Sequence, residues 1–399
     1  MFAAIADGSS VVTHPLRGED CESTLKCLAA MGLRYEWLSP DQIRLTPAAE
    51  WNAPDGPLDC GNSGTTMRLM SGLIASRPIE ATMIGDTSLS RRPMKRIVDP
   101  LRLMGAEIEG DKPPLHINGT SLHAIDYESP VASAQIKSCV LLAGLRATGV
   151  TSVREPSLSR DHTERMLTAC GVTVETDFSD GFVHRVAGGQ RLNGFEFTVP
   201  ADISSAAFFM VAAAILPQGG LTLQDLSINP TRTGILDVFR QCGIGVEELN
   251  PRQELGEPVA DVDIRPASFL KPFEIKGALV PRLIDEIPVL AVLATQCNGI
   301  STIRDARELR VKESDRIELV ADGLRAMGAT VETFDDGLAI HGPCKLTATK
   351  IEALGDHRIA MAFAVAGLIA NGRTEIEGAE SIATSYPGFE RDLESLSIL

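Results

Sequence analysis

A loose internal repeat constrains the fold of this chain more than any other feature. In five places an amphipathic helix is predicted to end in a glycine, followed by a short β-rich run with an acidic residue. The five glycines, separated by 73, 66, 72 and 85 residues, are Gly32, Gly105, Gly171, Gly243 and Gly328. A glycine at this place suits a left-handed helix cap. Because these spacings exceed those of solenoid repeats, each unit is a larger assembly of helices and strands.

A second, more apolar helix is predicted ahead of these helices, with a strand between the two. The predicted apolar helices span 64–76, 136–147, 205–216, 287–296 and 357–370. Each unit therefore reads helix, strand, helix, strand, strand, and three units can make one domain. A chain of 399 residues exceeds one ordinary core. We therefore expect a first domain at residues 1–200 and a second at 201–399, with a partial sixth copy at 389–399.

Composition excludes several classes of function. The formal net charge of −16 argues against nucleic acid as a partner, because phosphate backbones need a net basic surface. The eight cysteines form no C-x-x-C motif and lie near no histidine at metal-ligand spacing, which favours buried free thiols over zinc sites or disulfides. The longest apolar run, 359–370, is too short to span a bilayer. The N-terminal residues lack the basic segment with which a signal peptide begins, and this indicates a cytoplasmic protein.

The most informative short stretch is 309–316, Leu-Arg-Val-Lys-Glu-Ser-Asp-Arg. Three cations, Arg310, Lys312 and Arg316, surround Glu313 and Asp315 between a predicted strand-like run and a helix start. A helix start is electropositive because its first N–H groups have no partner in the chain, and added cations make it a strong site for phosphate or carboxylate. A carboxylate there can exchange a proton with a bound molecule. A solvated charged turn explains this run, taken alone, about as well.

Other predicted helix starts carry similar side chains. Asn62 or Ser63 can cap a helix at which Gly64 lets a ligand approach the backbone amides. Pro93 fits the first turn of the next helix and places Arg92 at its entrance. Ordinary capping and an exposed basic patch are the alternatives for these two places.

Four further segments follow the same pattern. Polar groups open or precede predicted helices at Ser133-Ala134-Gln135, Ser159–His162, Asp285 and Asp356–Arg358. Capping explains the serines and Asp285 equally well, and His357 alone would be an ordinary hydrogen-bonded residue. Taken together, five cations at or near helix starts indicate a ligand with phosphate and carboxylate groups, bound in a cleft between two domains beside carboxylates that can act as acid and base. These cations are Arg68, Arg92, Lys312, Arg316 and Arg358.

Seven motifs identify a family with this chemistry. They lie at 61–68 (GNSGTTMR), 90–94 (SRRPM), 132–135 (ASAQ), 159–162 (SRDH), 229–234 (NPTRTG), 310–316 (RVKESDR) and 355–358 (GDHR). In this combination they resemble the EPSP synthase family, the 3-phosphoshikimate 1-carboxyvinyltransferases of the shikimate pathway. The resemblance implies an α/β enolpyruvyl transferase fold, an inverse α/β barrel of two domains with three βαβαββ units each.

The resemblance also implies the reaction. The enolpyruvyl group of phosphoenolpyruvate would pass to the 5-hydroxyl of shikimate 3-phosphate, with release of phosphate and with no metal or organic cofactor. Protonation of the methylene carbon makes C2 cationic, the hydroxyl attacks it, and the tetrahedral adduct expels phosphate. One carboxylate must donate a proton and another must accept one. The implied partners are these two small molecules, with no nucleic acid or membrane, and the implied state is a monomer.

The family pattern assigns roles to individual residues of this chain. Asp285 and Glu313 would be the catalytic carboxylates. The predicted shikimate 3-phosphate ligands are Ser133, Ala134, Gln135, Arg160, Asp285 and Lys312. The predicted phosphoenolpyruvate ligands are Gly64, Arg92, Gln135, Arg316 and Arg358. Forked guanidinium groups suit phosphate and carboxylate oxygens bidentately, so Arg-to-Lys changes there should be costly.

The chain also departs from the family pattern. Its first repeat has only a stub of helix at 2–5, and family members normally begin with a Gly-Asp-Lys-Ser-x-Ser-x-Arg stretch that contacts both substrates. Some members also carry a Lys where this chain has Thr384. Missing cations beside two anionic ligands weaken binding, so we expect this 399-residue form to be weak or inactive.

Two alternatives remain open from the sequence. A UDP-N-acetylglucosamine 1-carboxyvinyltransferase would share the fold, but that family places a reactive Cys in the loop that corresponds to 85–92, where this chain has none. A non-catalytic remnant that binds anions would fit the short beginning, whereas the retained Asp285 and Glu313 count against it.

Overall fold

The computed structural model describes residues 1–179, 181–216 and 219–397. Two compact units account for the chain, one made of Met1–Val199 with Glu254–Glu257 and the other of Pro200–Gln253 with Pro258–Leu399. Each unit has its own hydrophobic core, built mainly from its most apolar helices.

The first unit alternates helices and short strands. Its helices are α1 (Phe2–Ile5), α2 (Glu19–Ala30), α3 (Gly64–Ala75), α4 (Lys95–Leu103), α5 (Ala134–Gly144) and α6 (His162–Ala169). Its strands are β1 (Ser10–Thr13), β2 (Arg34–Ser39), β3 (Gln42–Thr46), β4 (Leu58–Asp59), β5 (Glu80–Ile84), β6 (Glu107–Glu109), β7 (Leu115–Asn118), β8 (Asp126–Glu128), β9 (Val150–Glu155), β10 (Val174–Asp177), β11 (Phe182–Ala187) and β12 (Glu196–Thr198).

The second unit follows the same alternation. Its helices are α7 (Ile203–Ile215), α8 (Gly234–Cys242), α9 (Ile287–Ala294), α10 (Arg316–Ala326), α11 (His357–Gly367) and α12 (Phe389–Ser397). Its strands are β13 (Leu221–Ser227), β14 (Gly245–Glu254), β15 (Glu257–Arg265), β16 (Glu274–Ile275), β17 (Gly299–Ile303), β18 (Thr330–Phe334), β19 (Gly337–Gly342), β20 (Lys350–Glu352) and β21 (Glu375–Glu377). The last two residues of the predicted partial copy at 389–399 lie outside the described residues.

The sheets repeat one topology. In the first unit the strand orders are β12-β1-β3-β2, β4-β5-β7-β6 and β8-β9-β11-β10, and in the second unit β16-β17-β19-β18 follows the same order. Each of these sheets has one parallel pair and two antiparallel pairs. In three of these sheets an apolar helix connects the two parallel strands, namely in β4-α3-β5, β8-α5-β9 and β16-α9-β17. The predicted plan of helix, strand, helix, strand, strand is therefore confirmed.

The connection from strand to apolar helix positions the functional residues. Because α3, α5, α9 and α11 each follow the end of a strand that belongs to a parallel pair, their starts occupy equivalent places in successive repeats. All eight residues of α9 are buried, and so are the last nine residues of α5. Burial of these helices fixes their starts relative to the sheets around them.

The glycine-terminated helices are also confirmed. The five glycines of the repeat adopt positive φ angles: Gly32 (109°), Gly105 (98°), Gly171 (93°), Gly243 (84°) and Gly328 (94°). A side chain with a Cβ would be strained in this conformation, so glycine is the residue that ends these helices without cost.

Three sequence predictions need correction. Residues Arg307–Val311 form a 3-10 turn rather than a strand-like run, because the Arg310 guanidinium donates to the carbonyl oxygens of Phe334 and Asp335. Helix α4 begins at Lys95, so Pro93 precedes the helix instead of lying in its first turn. Of the cysteines predicted to be buried, Cys21 is exposed on the amphipathic helix α2.

A buried polar cluster lies among α5, α6, β9 and β11. Lys137 Nζ is 2.9 Å from Glu155 Oε2 and 2.8 Å from Glu164 Oε1, and its side chain is 0% exposed. His184 Nδ1 is 3.3 Å from Glu164 Oε1. Burial lowers the pKa of His184 to about 3, and the ammonium of Lys137 acts in the same direction. The imidazole is therefore neutral in the folded protein near pH 7.

The close packing of α3 against α5 predicts the effect of one substitution. A Cβ at Gly72 would lie 2.4 Å from the carbonyl oxygen of Cys139 in α5. We expect Gly72→Ala to lower the free energy of unfolding by about 1–3 kcal/mol, because the two helix backbones must move apart. Gly56→Ala is the control, since no atom lies within 4 Å of its Cβ position. Urea unfolding of both variants measures the difference, and equal stability would contradict this packing.

The buried imidazole predicts a pH dependence of stability. The pKa of His184 is lowered in the folded protein, so between about pH 3 and 6.5 the unfolded chain binds the additional proton. Stability from this group is present above that window and is lost as the pH falls through it, at about 1.4 kcal/mol per pKa unit.

Urea unfolding between pH 4 and 7 checks this dependence. We expect His184→Gln to be less sensitive to pH than the unmodified protein, and His116→Gln, which changes an exposed histidine, to keep the full sensitivity. Parallel pH profiles for all three proteins would show that His184 is not held neutral.

Candidate active site

The predicted ligand residues fall into two sets, one in each unit. In the first unit the segment between β4 and α3 forms a tight turn. Gly61 adopts a φ of 56°, and its N–H donates to the Asp59 carboxylate at 2.9 Å. The hydroxyl of Ser63 then caps α3 by accepting from the Thr66 N–H at 3.2 Å. Of the two predicted caps, Ser63 is therefore the one that the structure uses, and Asn62 is available for another role.

Asn62 links this turn to Arg92. Its Oδ1 accepts from Arg92 Nη2 at 2.7 Å, and its Nδ2 donates to Asp86 Oδ2 at 2.7 Å. Arg92 Nη2 also donates to Ser88 Oγ at 3.3 Å. These bonds hold the guanidinium of Arg92 beside the first residue of α3.

The starts of α3 and α5 are joined directly. Arg68 Nη1 donates to Gln135 Oε1 at 2.6 Å, and Gln135 Nε2 donates to Thr65 Oγ1 at 2.9 Å. A Cβ at Gly64 would lie 2.9 Å from Arg68 Nη1 and 3.5 Å from Arg92 Nη1. The structure therefore brings Gly64, Arg68, Arg92 and Gln135 together around two helix starts.

Ser133 and Ala134 begin α5 beside Gln135. Ser133 is the N-cap residue of α5, but its side chain makes no capping hydrogen bond. Arg160 lies in the loop between β9 and α6, and the neighbouring Asp161 accepts from Arg165 Nε at 2.8 Å. The role of Arg160 remains a prediction from the family pattern.

Arg316 organises the set in the second unit. It is the first residue of α10, its side chain is 1% exposed, and three carboxylates surround its guanidinium. Asp356 Oδ2 accepts from Arg316 Nε at 2.8 Å, Glu313 Oε2 from Nη2 at 2.6 Å, and Asp285 Oδ1 from Nη1 at 3.4 Å. The two predicted catalytic carboxylates therefore share one buried cation.

Two further cations join this set through Asp285. Lys312 Nζ lies 3.6 Å from Asp285 Oδ1, and Arg358 Nη1 donates to the carbonyl oxygen of Asp285 at 3.2 Å. Arg358 Nη1 also lies 4.0 Å from the buried Glu286. All five residues predicted in this unit, Asp285, Lys312, Glu313, Arg316 and Arg358, are thus brought together.

Asp285 does not cap the apolar helix that follows it. It lies in a 3-10 turn at Ile284–Glu286, and the N-cap residue of α9 is Glu286, which makes no side-chain capping bond. The capping alternative for Asp285 is therefore wrong, and its carboxylate faces cations instead.

The charged groups of this set shift one another's pKa values. Burial by itself lowers the pKa of Arg316, but Asp356, Glu313 and Asp285 outweigh burial and raise the pKa above its ordinary value. Burial raises the pKa of Asp356, and the Arg316 guanidinium outweighs burial and lowers that pKa. Burial and the neighbouring Arg358 lower the pKa of His357 to about 4. Arg316 and Asp356 are therefore a charged pair, with a neutral imidazole beside them.

Some functional neighbours were not predicted. Asp356 caps α11 by accepting from the Arg358 N–H at 3.0 Å, and it also accepts from Ser314 Oγ at 2.8 Å. Its place in the motif at 355–358 was the available signal, although the sequence could not reveal its pairing with Arg316. Arg310 lies apart from the set, because it binds Asp315 and Glu318 at the cap of α10.

The three described ranges of the chain offer neither a cluster of metal ligands nor a helix that could span a membrane. These ranges hold no group of three or more His, Cys, Asp or Glu side chains placed to bind a metal ion. None of their helices is both long enough and apolar enough to cross a membrane.

Comparison with known proteins gives the family. The sequence model of the family described as EPSP synthase (3-phosphoshikimate 1-carboxyvinyltransferase) matches residues 1–393. The 3-phosphoshikimate 1-carboxyvinyltransferase of Brevibacillus brevis is 49% identical over 403 aligned residues, which cover 100% of this chain and 93% of that protein. The protein of the same name from Bacillus cereus is 48% identical, with coverage of 100% and 93%.

Solved structures agree with these relatives. The EPSP synthase of Acinetobacter baumannii superposes with a TM-score of 0.88 at 44% identity, covering 99% of this chain and 91% of that one. The enolpyruvyl transferase NikO of Streptomyces tendae, at 19% identity, shares the fold with a TM-score of 0.80, covering 99% of this chain and 90% of that one. These structures confirm the predicted enolpyruvyl transferase fold, and the chain belongs to the EPSP synthase family.

Proposed function

We propose that this chain transfers the enolpyruvyl group of phosphoenolpyruvate to the 5-hydroxyl of shikimate 3-phosphate and releases inorganic phosphate. The observation that carries the proposal is the pair of carboxylates, Asp285 and Glu313, bound to one buried Arg316. This arrangement supplies two proton-transfer groups beside a cation that can hold an anionic substrate. Glu313 and Arg316 lie in the family motif at 310–316.

The substrates suit the cations of both units. Each substrate carries one phosphate group and one carboxylate group, and planar guanidinium groups bind such oxygens bidentately. Arg92, Arg316 and Arg358 provide these groups for phosphoenolpyruvate, together with the backbone at Gly64 and the amide of Gln135. Lys312, the start of α5 at Ser133 and Ala134, and Arg160 serve shikimate 3-phosphate.

The two carboxylates have different roles. Asp285 is near two cations, Lys312 and Arg316, which favour its ionised form, so it accepts the proton of the 5-hydroxyl. Glu313 donates a proton to the methylene carbon of phosphoenolpyruvate. The hydroxyl oxygen bonds to C2 as its proton passes to Asp285. The C–O bond to phosphate in the adduct then breaks, the leaving phosphate takes up the proton held by Asp285, and Glu313 recovers its proton from the new methyl group as the carbon–carbon double bond returns.

Substrate binding itself prepares Glu313 for this role. The Glu313 carboxylate accepts from Arg316 Nη2 at 2.6 Å, and this contact favours the charged form. An anionic substrate that engages Arg316 takes over part of this interaction and adds negative charge nearby. A weaker contact with Arg316 and the added negative charge both favour protonation of Glu313, and the protonated form is the one that the reaction needs.

The direct test is the reaction of the purified chain with both substrates. We expect phosphate release and formation of the enolpyruvyl product to require phosphoenolpyruvate and shikimate 3-phosphate together. UDP-N-acetylglucosamine in place of shikimate 3-phosphate should give no product. Turnover with that acceptor, or binding of both substrates without any product, would contradict the proposal. The same assay gives the rate.

Substitution of the carboxylates tests their roles. We expect Glu313→Gln and Asp285→Asn each to lower kcat by about 10²–10⁴-fold, because each removes one proton-transfer group. Glu332→Gln, which changes an exposed carboxylate of the same unit, is the control and should leave kcat unchanged. A loss of less than about tenfold in either catalytic variant would remove that residue from the mechanism.

The contact between Gly64 and two arginines predicts a selective effect on one substrate. An alanine Cβ there would meet Arg68 Nη1 at 2.9 Å and displace the guanidinium groups that gather at the start of α3. We expect Gly64→Ala to raise the KM for phosphoenolpyruvate about tenfold, equivalent to about 1.4 kcal/mol, and to change the KM for shikimate 3-phosphate less. Steady-state kinetics with Gly56→Ala as control checks this, and an equal rise in both KM values would contradict it.

A further inference from the structure

We infer that Glu155, held in place by Lys137, is a positioning residue that fixes the start of α5 for the phosphate group of shikimate 3-phosphate. The inference deepens the proposed function and rests on it, because that function assigns Ser133, Ala134 and Gln135 to this substrate. Neither Glu155 nor Lys137 belongs to the residues that the family pattern assigns.

The contact that carries the inference joins Glu155 to the backbone of Ser133. Glu155 is the last residue of β9, and its Oε1 accepts from the Ser133 N–H at 3.1 Å. Ser133 is the N-cap residue of α5, and its hydroxyl makes no capping bond, in contrast to the hydroxyl of Ser63 at the start of α3. Glu155 therefore anchors the backbone of the N-cap residue, while the Ser133 side chain is not committed to its own helix.

Lys137 balances the negative charge that Glu155 brings to the start of α5. A buried carboxylate beside a helix start occupies the electropositive end at which a phosphate is expected to bind, and it would repel that phosphate. The ammonium of Lys137, one turn into α5, lies 2.9 Å from the other oxygen of Glu155. Because Lys137 balances the charge of Glu155, the pair keeps the hydrogen bond to Ser133 without adding a net charge of its own at the start of α5.

The rest of the cluster fixes Lys137. Glu164 of α6 lies 2.8 Å from Lys137 Nζ, and His184 of β11 lies 3.3 Å from Glu164. Burial lowers the pKa of Lys137, but Glu164 and Glu155 outweigh burial, so the net shift is upward and the ammonium stays charged. Glu164 thus supports Lys137 without contacting Ser133, which makes it a matched control for Glu155.

Stability alone does not account for this cluster. A buried ion pair contributes little net stability, because desolvation of the charges offsets their attraction, and apolar residues of similar volume often serve as well. Lys137 stands in the middle of a helix whose neighbouring residues are buried and mostly apolar. A positioning role requires this charge at this place, whereas a packing role does not.

The test compares four variants of the full chain: Glu155→Leu, Glu155→Gln, Glu164→Gln and Lys137→Met. Calorimetry measures the Kd of shikimate 3-phosphate, kinetics measures the KM of each substrate, and thermal unfolding measures stability. We expect Glu155→Leu to weaken shikimate 3-phosphate binding about tenfold and to leave the KM for phosphoenolpyruvate within about threefold. Glu155→Gln, which keeps an oxygen acceptor for the Ser133 N–H, should restore binding to within about threefold.

Glu164→Gln and Lys137→Met complete the test. Glu164→Gln should lower stability while shikimate 3-phosphate binding stays within about threefold of the unmodified protein. Lys137→Met should weaken binding about tenfold, and the double variant Lys137→Met with Glu155→Gln should regain most of it, because the charge of Glu155 beside the start of α5 is then absent. Lys137→Met and this double variant keep the inference testable if Glu155→Leu does not fold.

Two patterns of results would overturn the inference. One is unchanged shikimate 3-phosphate binding in Glu155→Leu, or in Lys137→Met where Glu155→Leu does not fold. The other is equal weakening in Glu155→Leu, Glu155→Gln and Glu164→Gln, which would indicate a general loss of packing. A failure of the proposed function is distinct, because the unmodified protein would then neither bind shikimate 3-phosphate nor form product.

Discussion

The buried guanidinium of Arg316 is the interaction on which the second unit's functional set depends. Three carboxylates, from Asp285, Glu313 and Asp356, converge on it from three separate segments of the chain. A buried cation of this kind is stable only with well-placed anionic partners. Asp356 is the structural partner, since it also caps α11 and accepts from Ser314. Asp285 and Glu313 are the partners that the proposed reaction uses.

The repeated connection from strand to apolar helix makes such sets possible. In each repeat a strand of a parallel pair leads into a buried helix, so the helix start is held rigidly at the end of the sheet. The electropositive helix starts then carry Gly64, Ser133 or Arg358, depending on the repeat. This connection from strand to helix, repeated several times along the chain, supplies anion-binding positions, while the apolar helices build the cores. In the further inference, the cluster of Lys137 and Glu155 fixes the position of one of these helix starts, that of α5.

The sequence predicted what depends on local patterns. Apolar periodicity located the apolar helices α3, α5, α7, α9 and α11 within a few residues, and the glycine caps were predicted from single residues such as Gly243. Pairings across distant segments could not be predicted in this way. The bond between Arg316 and Asp356 spans forty positions, and Lys137 finds its partners on β9 and α6. The turn at Arg307–Val311 was missed because contacts with β18 and the turn after it, rather than local preference, determine its shape.

A crystal structure with shikimate 3-phosphate and an unreactive analogue of phosphoenolpyruvate tests the central claim most directly. The account predicts the phosphate of shikimate 3-phosphate at Ser133, Ala134 and Gln135, and the anionic groups of the analogue on Arg316 and Arg358. It also predicts that Glu313 gives up part of its contact with Arg316. Both ligands bound elsewhere, with Arg316 still fully engaged by its three carboxylates, would contradict the account.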